Sequence, residues 1–141
     1  MIVVLDTNVI VSGILKPYGP AGTILRLAVQ GVIRLGHDAR ILGEYREVLH
    51  RPAFGFPKDQ VDALIDHFEK EGLGATGLPL PFRLPDPDDE PFLEIAIACR
   101  AEALVTGNKR HFARKKHKIK VMSPAEFVAE FRLRTNLKGL G

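Results

Sequence analysis

The chain has 141 residues, 45% of them hydrophobic, with a net charge of +3 and one cysteine, Cys99. That size and apolar content give a single domain with a core of its own and exclude general disorder. No apolar run nears the roughly 20 residues that cross a bilayer, and Met1-Ile2-Val3-Val4-Leu5-Asp6 lacks the basic start of a signal peptide. Cys99 has no cysteine to pair with, which fits a cytoplasmic protein with no membrane association. Its place on an apolar helical stripe makes it a small core residue rather than a nucleophile.

Ile2-Val3-Val4-Leu5 is a short β-branched run of the kind that forms a strand buried on both faces. A Gly- and Pro-containing loop over 13–22 then leads into a helix over about 21–30, with Ala21, Ile24, Leu25 and Ala28 on one face. Ile33 to Leu35 reads as a second strand. Asp38 caps a helix that runs to about Arg51 and is ended by Pro52. The spacing of Val61, Leu64, Ile65 and Phe68 predicts another helix over 58–71, stopped by Gly72 and Gly74. Residues 75–84 read as an extended connection holding a short strand. After Pro85-Asp86-Pro87 a helix starts near Asp88 or Asp89 and buries Phe92, Ile95, Ala96 and Cys99. Ala103-Leu104-Val105 and Ile119-Lys120-Val121-Met122 are the last two strands. Ser123-Pro124-Ala125-Glu126 opens a final helix as a capping box.

Short apolar strands alternating with amphipathic helices imply a parallel sheet covered on both faces, whose ligands bind at the carboxyl ends of the strands. Asp6 directly follows the first strand, and Thr106 and Asn108 follow the strand over 103–105. A helix returning antiparallel to the strands begins at that same edge, which brings Asp86, Asp88 and Asp89 there. Glu44, mid-helix, can point into it. Carboxylates gathered without counter-charge repel one another and raise each other's pKa, and a hard divalent cation removes that penalty. An all-oxygen set of this kind suits Mg²⁺ or Mn²⁺ and phosphate-ester substrates. Singly, each residue has a plainer use: a capped turn for Asp86-Pro87-Asp88-Asp89, a solvated helix position for Glu44, a turn for Asn108. Their convergence carries the reading.

Four stretches resemble the PIN-domain family, in particular the VapC-like toxins of toxin–antitoxin systems. They are Leu5-Asp6-Thr7-Asn8-Val9, then Leu42-Gly43-Glu44-Tyr45-Arg46-Glu47-Val48-Leu49, the acidic segment from Pro85 to Ala96, and Leu104-Val105-Thr106-Gly107-Asn108-Lys109. The resemblance implies a three-layer α/β/α sandwich with a central parallel sheet over residues 1–131, followed by a C-terminal tail over 132–141. It also implies Mg²⁺- or Mn²⁺-dependent endonucleolytic cleavage of RNA. Asp6, Glu44 and Asp89 fall on the family's metal-binding and catalytic acids; Glu44 is preferred to Glu47 by the Val48-Leu49 register, and Asp88 is the alternative to Asp89. Thr7, Asn8 and Thr106 match supporting polar positions. Asn108 stands where the family often has a fourth Asp. An antitoxin protein and a homodimer are the partners implied.

Other readings fit less well. A haloacid-dehalogenase-type phosphatase needs a second Asp two residues after Asp6, where this chain has Asn8. A receiver-type signalling domain needs an acid pair before its first-strand Asp. A PIN-like module that binds RNA or protein without cleaving is favoured by Asn108. Residues 109–120 include Lys109, Arg110, Arg114, Lys115, Lys116, Lys118 and Lys120 with no acid, against 13 basic and 17 acidic residues elsewhere. Such a strip suits a polyanion, and Lys109, Arg110, Arg114, Lys115 and Lys116 are expected to hold RNA beside the acids. A solvated loop is the alternative.

Overall fold

A computed structural model describes residues 1–112 and 116–140, with the backbone alone for 137–140. Five strands, β1 (Ile2–Leu5), β2 (Arg34–His37), β3 (Leu73–Gly74), β4 (Ala103–Val105) and β5 (Val121–Met122), form one sheet in the order β3-β2-β1-β4-β5. Every pairing is parallel: Val3 sits opposite Leu35 on one side and Ala103 on the other, and Leu5 opposite Val105. Val3, Val4, Leu5, Leu104 and Val105 are wholly buried, as strands covered on both faces require.

Six helices link and cover the strands: α1 (Thr7–Leu15), α2 (Pro20–Val29), α3 (Ala39–Leu49), α4 (Lys58–Glu71), α5 (Glu90–Ala98) and α6 (Pro124–Leu140). From β1 the chain first steps outward through β2 to β3, then crosses back to β4 and β5 on the other side. Right-handed crossovers in opposite directions place their helices on opposite faces, which gives the three-layer α/β/α sandwich. α5 packs across β1, β2 and β4, whereas α2 meets α1, α4 and α6. The reversal of strand order falls between β1 and β4. In an open parallel sheet the ligand cleft lies at that point, outside the carboxyl ends of the two strands.

Local signals account for most of the element ends. The Asp38 carboxylate accepts the N–H of Ile41 at 3.0 Å and caps α3. At α6 the capping box closes in both directions: Glu126 N–H to Ser123 Oγ at 3.1 Å, and Ser123 N–H to Glu126 Oε1 at 2.9 Å. α6 then runs past residue 131 without a break.

Three expectations need correction. Thr7–Leu15 is a helix, so the loop between it and α2 spans only residues 16–19. The edge strand β3 is Leu73–Gly74 and precedes the 75–84 connection; no strand lies within 75–84. A Cβ on Gly72 would stand 2.4 Å from the Leu35 carbonyl oxygen, so glycine lets the chain leave α4 and meet β2 at once. β5 is shorter than expected and begins at Val121.

Candidate active site

Asp6 occupies the N-cap position of α1, at the carboxyl end of β1, and its N–H donates to the Val105 carbonyl at 2.9 Å. The neighbouring strand supplies Thr106, fully buried, whose hydroxyl donates to Asp6 Oδ2 at 2.8 Å. One hydrogen bond therefore spans the switch point. Burial pushes the Asp6 carboxyl above its ordinary pKa; the Thr106 hydroxyl and the N–H groups of Thr7 and Asn8 oppose the rise.

The second acid comes from α3. The Thr7 hydroxyl donates to Glu44 Oε2, tying α3 to the first turn of α1. Burial raises the Glu44 pKa, Thr7 lowers it, and Asp6, Asp88 and Asp86 raise it again by repulsion. Glu47, one turn on, is exposed and pairs with Arg51 at 2.8 Å. Tyr45 turns inward instead and donates to the Leu5 carbonyl at 2.6 Å.

The third comes from the entry to α5. Asp86 caps a short 3-10 turn, Pro87–Asp89, by accepting the Asp88 N–H at 2.9 Å. Asp88 is exposed and Asp89 half-buried. The Asp89 pKa is raised to about 6, first by burial and then by Asp6 and Asp86, against the pull of His111. Two further acids on α5 are neutralised elsewhere: Glu90 by Arg83 at 2.7 Å and by the Leu84 N–H, and Glu94 by Arg40 at 3.0 Å. Among the described residues no Lys or Arg pairs with Asp6, Glu44, Asp86, Asp88 or Asp89.

The remaining polar positions are placed as follows. Thr7 and Thr106 each orient an acid, and Asn8 is exposed on the first turn of α1. Asn108 donates its N–H to Thr106 Oγ1 at 3.0 Å, and its side-chain amide meets His111 Nε2 at 3.0 Å. His111 Nδ1 lies 3.0 Å from Asp89 Oδ2. Sequence reading missed His111, because a histidine inside a basic run gives no sign of a partner 22 residues earlier.

The basic strip does not stay together at this edge. Lys109 pairs with Glu126 at 2.9 Å and Lys120 with Glu130 at 2.6 Å, both on α6. Lys116 stands 5.5 Å over the Phe82 ring, in a groove shared with Ile97, Arg100 and Ala101 near the start of β4. That is the opposite end of the strands from the acids. Arg110 is exposed and has no ion pair among the described residues. Arg114 and Lys115 lie outside the described residues.

An open α/β sheet with an acidic cluster at its switch point defines a site for a cationic or cation-bridged ligand. A PIN domain model matches residues 2–110, and the chain belongs to the PIN domain family. In three dimensions it is similar to a chain of the VapBC2 complex from Rickettsia felis, solved bound to a DNA fragment from their promoter. The TM-score is 0.58 and the identity 19%, over 87% of this chain and 98% of that one. No curated protein matches the sequence. The comparison supports the fold, and no helix among the described residues is long and apolar enough to cross a membrane.

The donor chemistry fits a hard divalent cation: the side chains are carboxylates that repel one another, and among the described residues no Lys or Arg forms an ion pair with them. The spacing is open, however. Among the described residues no three His, Cys, Asp or Glu side chains converge closely enough to hold an ion as they stand.

Proposed function

We propose that the protein is a Mg²⁺- or Mn²⁺-dependent endoribonuclease that acts in the cytoplasm as the toxin of a toxin–antitoxin pair. The observation that carries the reading is the gathering of Asp6, Glu44 and Asp89 at the β1/β4 switch point: burial raises the pKa of all three, and repulsion from neighbouring acids raises Glu44 and Asp89 further. Such an arrangement costs stability by itself and is relieved by a divalent cation. Asp6, Glu44 and Asp89 are the residues that would hold the ion. When bound, it supplies Lewis-acid polarisation of the phosphate and a water acidic enough to be activated near neutral pH.

The chain's own residues do the rest. Thr106 and Thr7 each hold one carboxylate oxygen, so Asp6 and Glu44 keep fixed orientations. Asp88 and Asp86 add negative potential at the mouth of the cleft, and Asn8 presents an exposed amide there. Arg110, exposed and without an ion pair among the described residues, would take the phosphate backbone of RNA. An antitoxin or a second copy of the chain would cover exposed apolar side chains such as Leu15, Tyr18, Val29 and Val32.

A PIN module that binds RNA or protein without cutting is the second reading. It is favoured by Asn108, which brings no charge, and by the open spacing of the acids. Incubation of single-stranded RNA with the protein, first in chelator and then with Mn²⁺ restored, separates the two. Cleavage that returns with Mn²⁺ supports the nuclease; binding with no cleavage in either condition supports the module.

A further inference from the structure

We infer that His111 is a positioning residue of the acid site, held by Asn108 as the Nδ1–H tautomer so that it donates to Asp89. A chain of hydrogen bonds running one way carries the argument. The Asn108 side-chain NH₂ has only protons to give, so His111 Nε2, 3.0 Å away, accepts. The ring proton is then on Nδ1, which donates to Asp89 Oδ2 at 3.0 Å.

The same residue fixes the other acid. Asn108 N–H donates to Thr106 Oγ1 at 3.0 Å, which leaves the Thr106 proton for Asp6 Oδ2 at 2.8 Å. Asn108 thus sits at the centre of a relay with Asp6 at one end and Asp89 at the other. The short 3-10 turn Lys109–His111 makes this possible by folding His111 back toward Asn108, with the His111 N–H on the Asn108 carbonyl at 3.1 Å.

An Asp at position 108 would have no proton to give to Nε2. Asn108 is therefore the complement of a neutral His111 rather than a weakened ligand. Asp89 Oδ1 and Asp6 Oδ1 have no side-chain donor among the described residues. This role rests on the divalent-site reading above, while the tautomer can be tested apart from it.

The test has two arms on the full chain. In the metal-free protein, long-range proton–nitrogen correlation spectra of the histidine rings report which nitrogen carries the proton. The expected result is Nδ1–H for His111, lost in Asn108→Ala. In parallel, titration calorimetry with Mn²⁺ compares the wild type with His111→Ala and His111→Asn. His111→Ala is expected to weaken Mn²⁺ about tenfold. His111→Asn, which can still present an N–H to Asp89, is expected to stay close to the wild type. An Nε2–H ring in the wild type, or His111→Ala binding Mn²⁺ as tightly as the wild type, overturns the inference. A wild type that binds no Mn²⁺ overturns the divalent-site reading, and the ring spectrum still decides the relay.

Discussion

Tyr45 donates its hydroxyl proton to the carbonyl oxygen of Leu5 at 2.6 Å, with both groups buried. Leu5 precedes Asp6 and Tyr45 follows Glu44, so this bond sets α3 against the end of β1. Burial, with added repulsion from Asp6 and Glu44, raises the Tyr45 pKa well above its ordinary value, so the phenol stays protonated as a donor. Tyr45→Phe is expected to lower stability by about 1–2 kcal/mol in a urea titration, because the ring still packs and only the hydrogen bond is lost. It is also expected to reduce cleavage more than that loss of folded protein explains, since the spacing of two acids depends on it.

The acids make stability depend on pH in a direction opposite to the usual carboxylate. The folded-state pKa of Asp89 is about 6, above the ordinary value of 3.8, so the folded form takes up the proton more readily than the unfolded one. The associated stability is full below about pH 4 and is lost as pH rises through about 6. Asp6 and Glu44, raised in the same direction, add to the effect. In chelator, the contribution of these groups to the melting temperature is expected to fall between pH 4 and pH 7. Asp89→Asn is expected to flatten that fall, and saturating Mn²⁺ to remove it. A fall of equal size with Mn²⁺ present, or in Asp89→Asn, would contradict the assignment.

The fold divides the basic strip. Arg110 stands at the carboxyl edge, whereas Lys116 is engaged over Phe82 near the start of β4. Arg110→Glu is expected to weaken binding of single-stranded RNA and to reduce the salt slope by about 0.7, the share of one phosphate contact on a single strand. Lys116→Glu is expected to leave both unchanged. Filter binding over a range of salt concentrations measures the two.

Glycine spacing explains why α1 was hard to see in the sequence. Gly13 and Gly22 read as loop punctuation, yet both lie within helices at close contacts. A Cβ on Gly22 would stand 2.1 Å from the Pro17 carbonyl oxygen, and one on Gly13 2.5 Å from Leu25 Cδ1. Gly22→Ala is therefore expected to destabilise the fold by about 1–3 kcal/mol, read from its urea midpoint, because backbone has to move. A midpoint equal to the wild type would show that the contact between α2 and the 16–19 loop is looser than this.

Elements with a strong local signal were legible: the apolar run of β1, the Asp38 cap and the Ser123/Glu126 box all form as their residues dictate. The positions of Asp6 and Thr106 at one edge followed from each directly succeeding a strand of a parallel sheet. What the sequence could not carry were relations made by tertiary packing. His111 meets Asp89 only because a 3-10 turn folds it back, and Lys109 leaves the acids for Glu126 because α6 passes nearby. Charge runs give no direction to individual side chains, so the strip looked continuous where the fold divides it.

The most direct measurement compares Mn²⁺-dependent cleavage of single-stranded RNA by the wild type, Asp6→Asn and Glu44→Gln, each purified identically and checked for folding. Both substitutions keep side-chain volume and hydrogen-bond partners while removing one charge. The account predicts wild-type cleavage that chelator abolishes, a loss on the order of 100-fold in each variant, and metal-free variants at least as stable as the wild type. Cleavage by Asp6→Asn at the wild-type rate would contradict it.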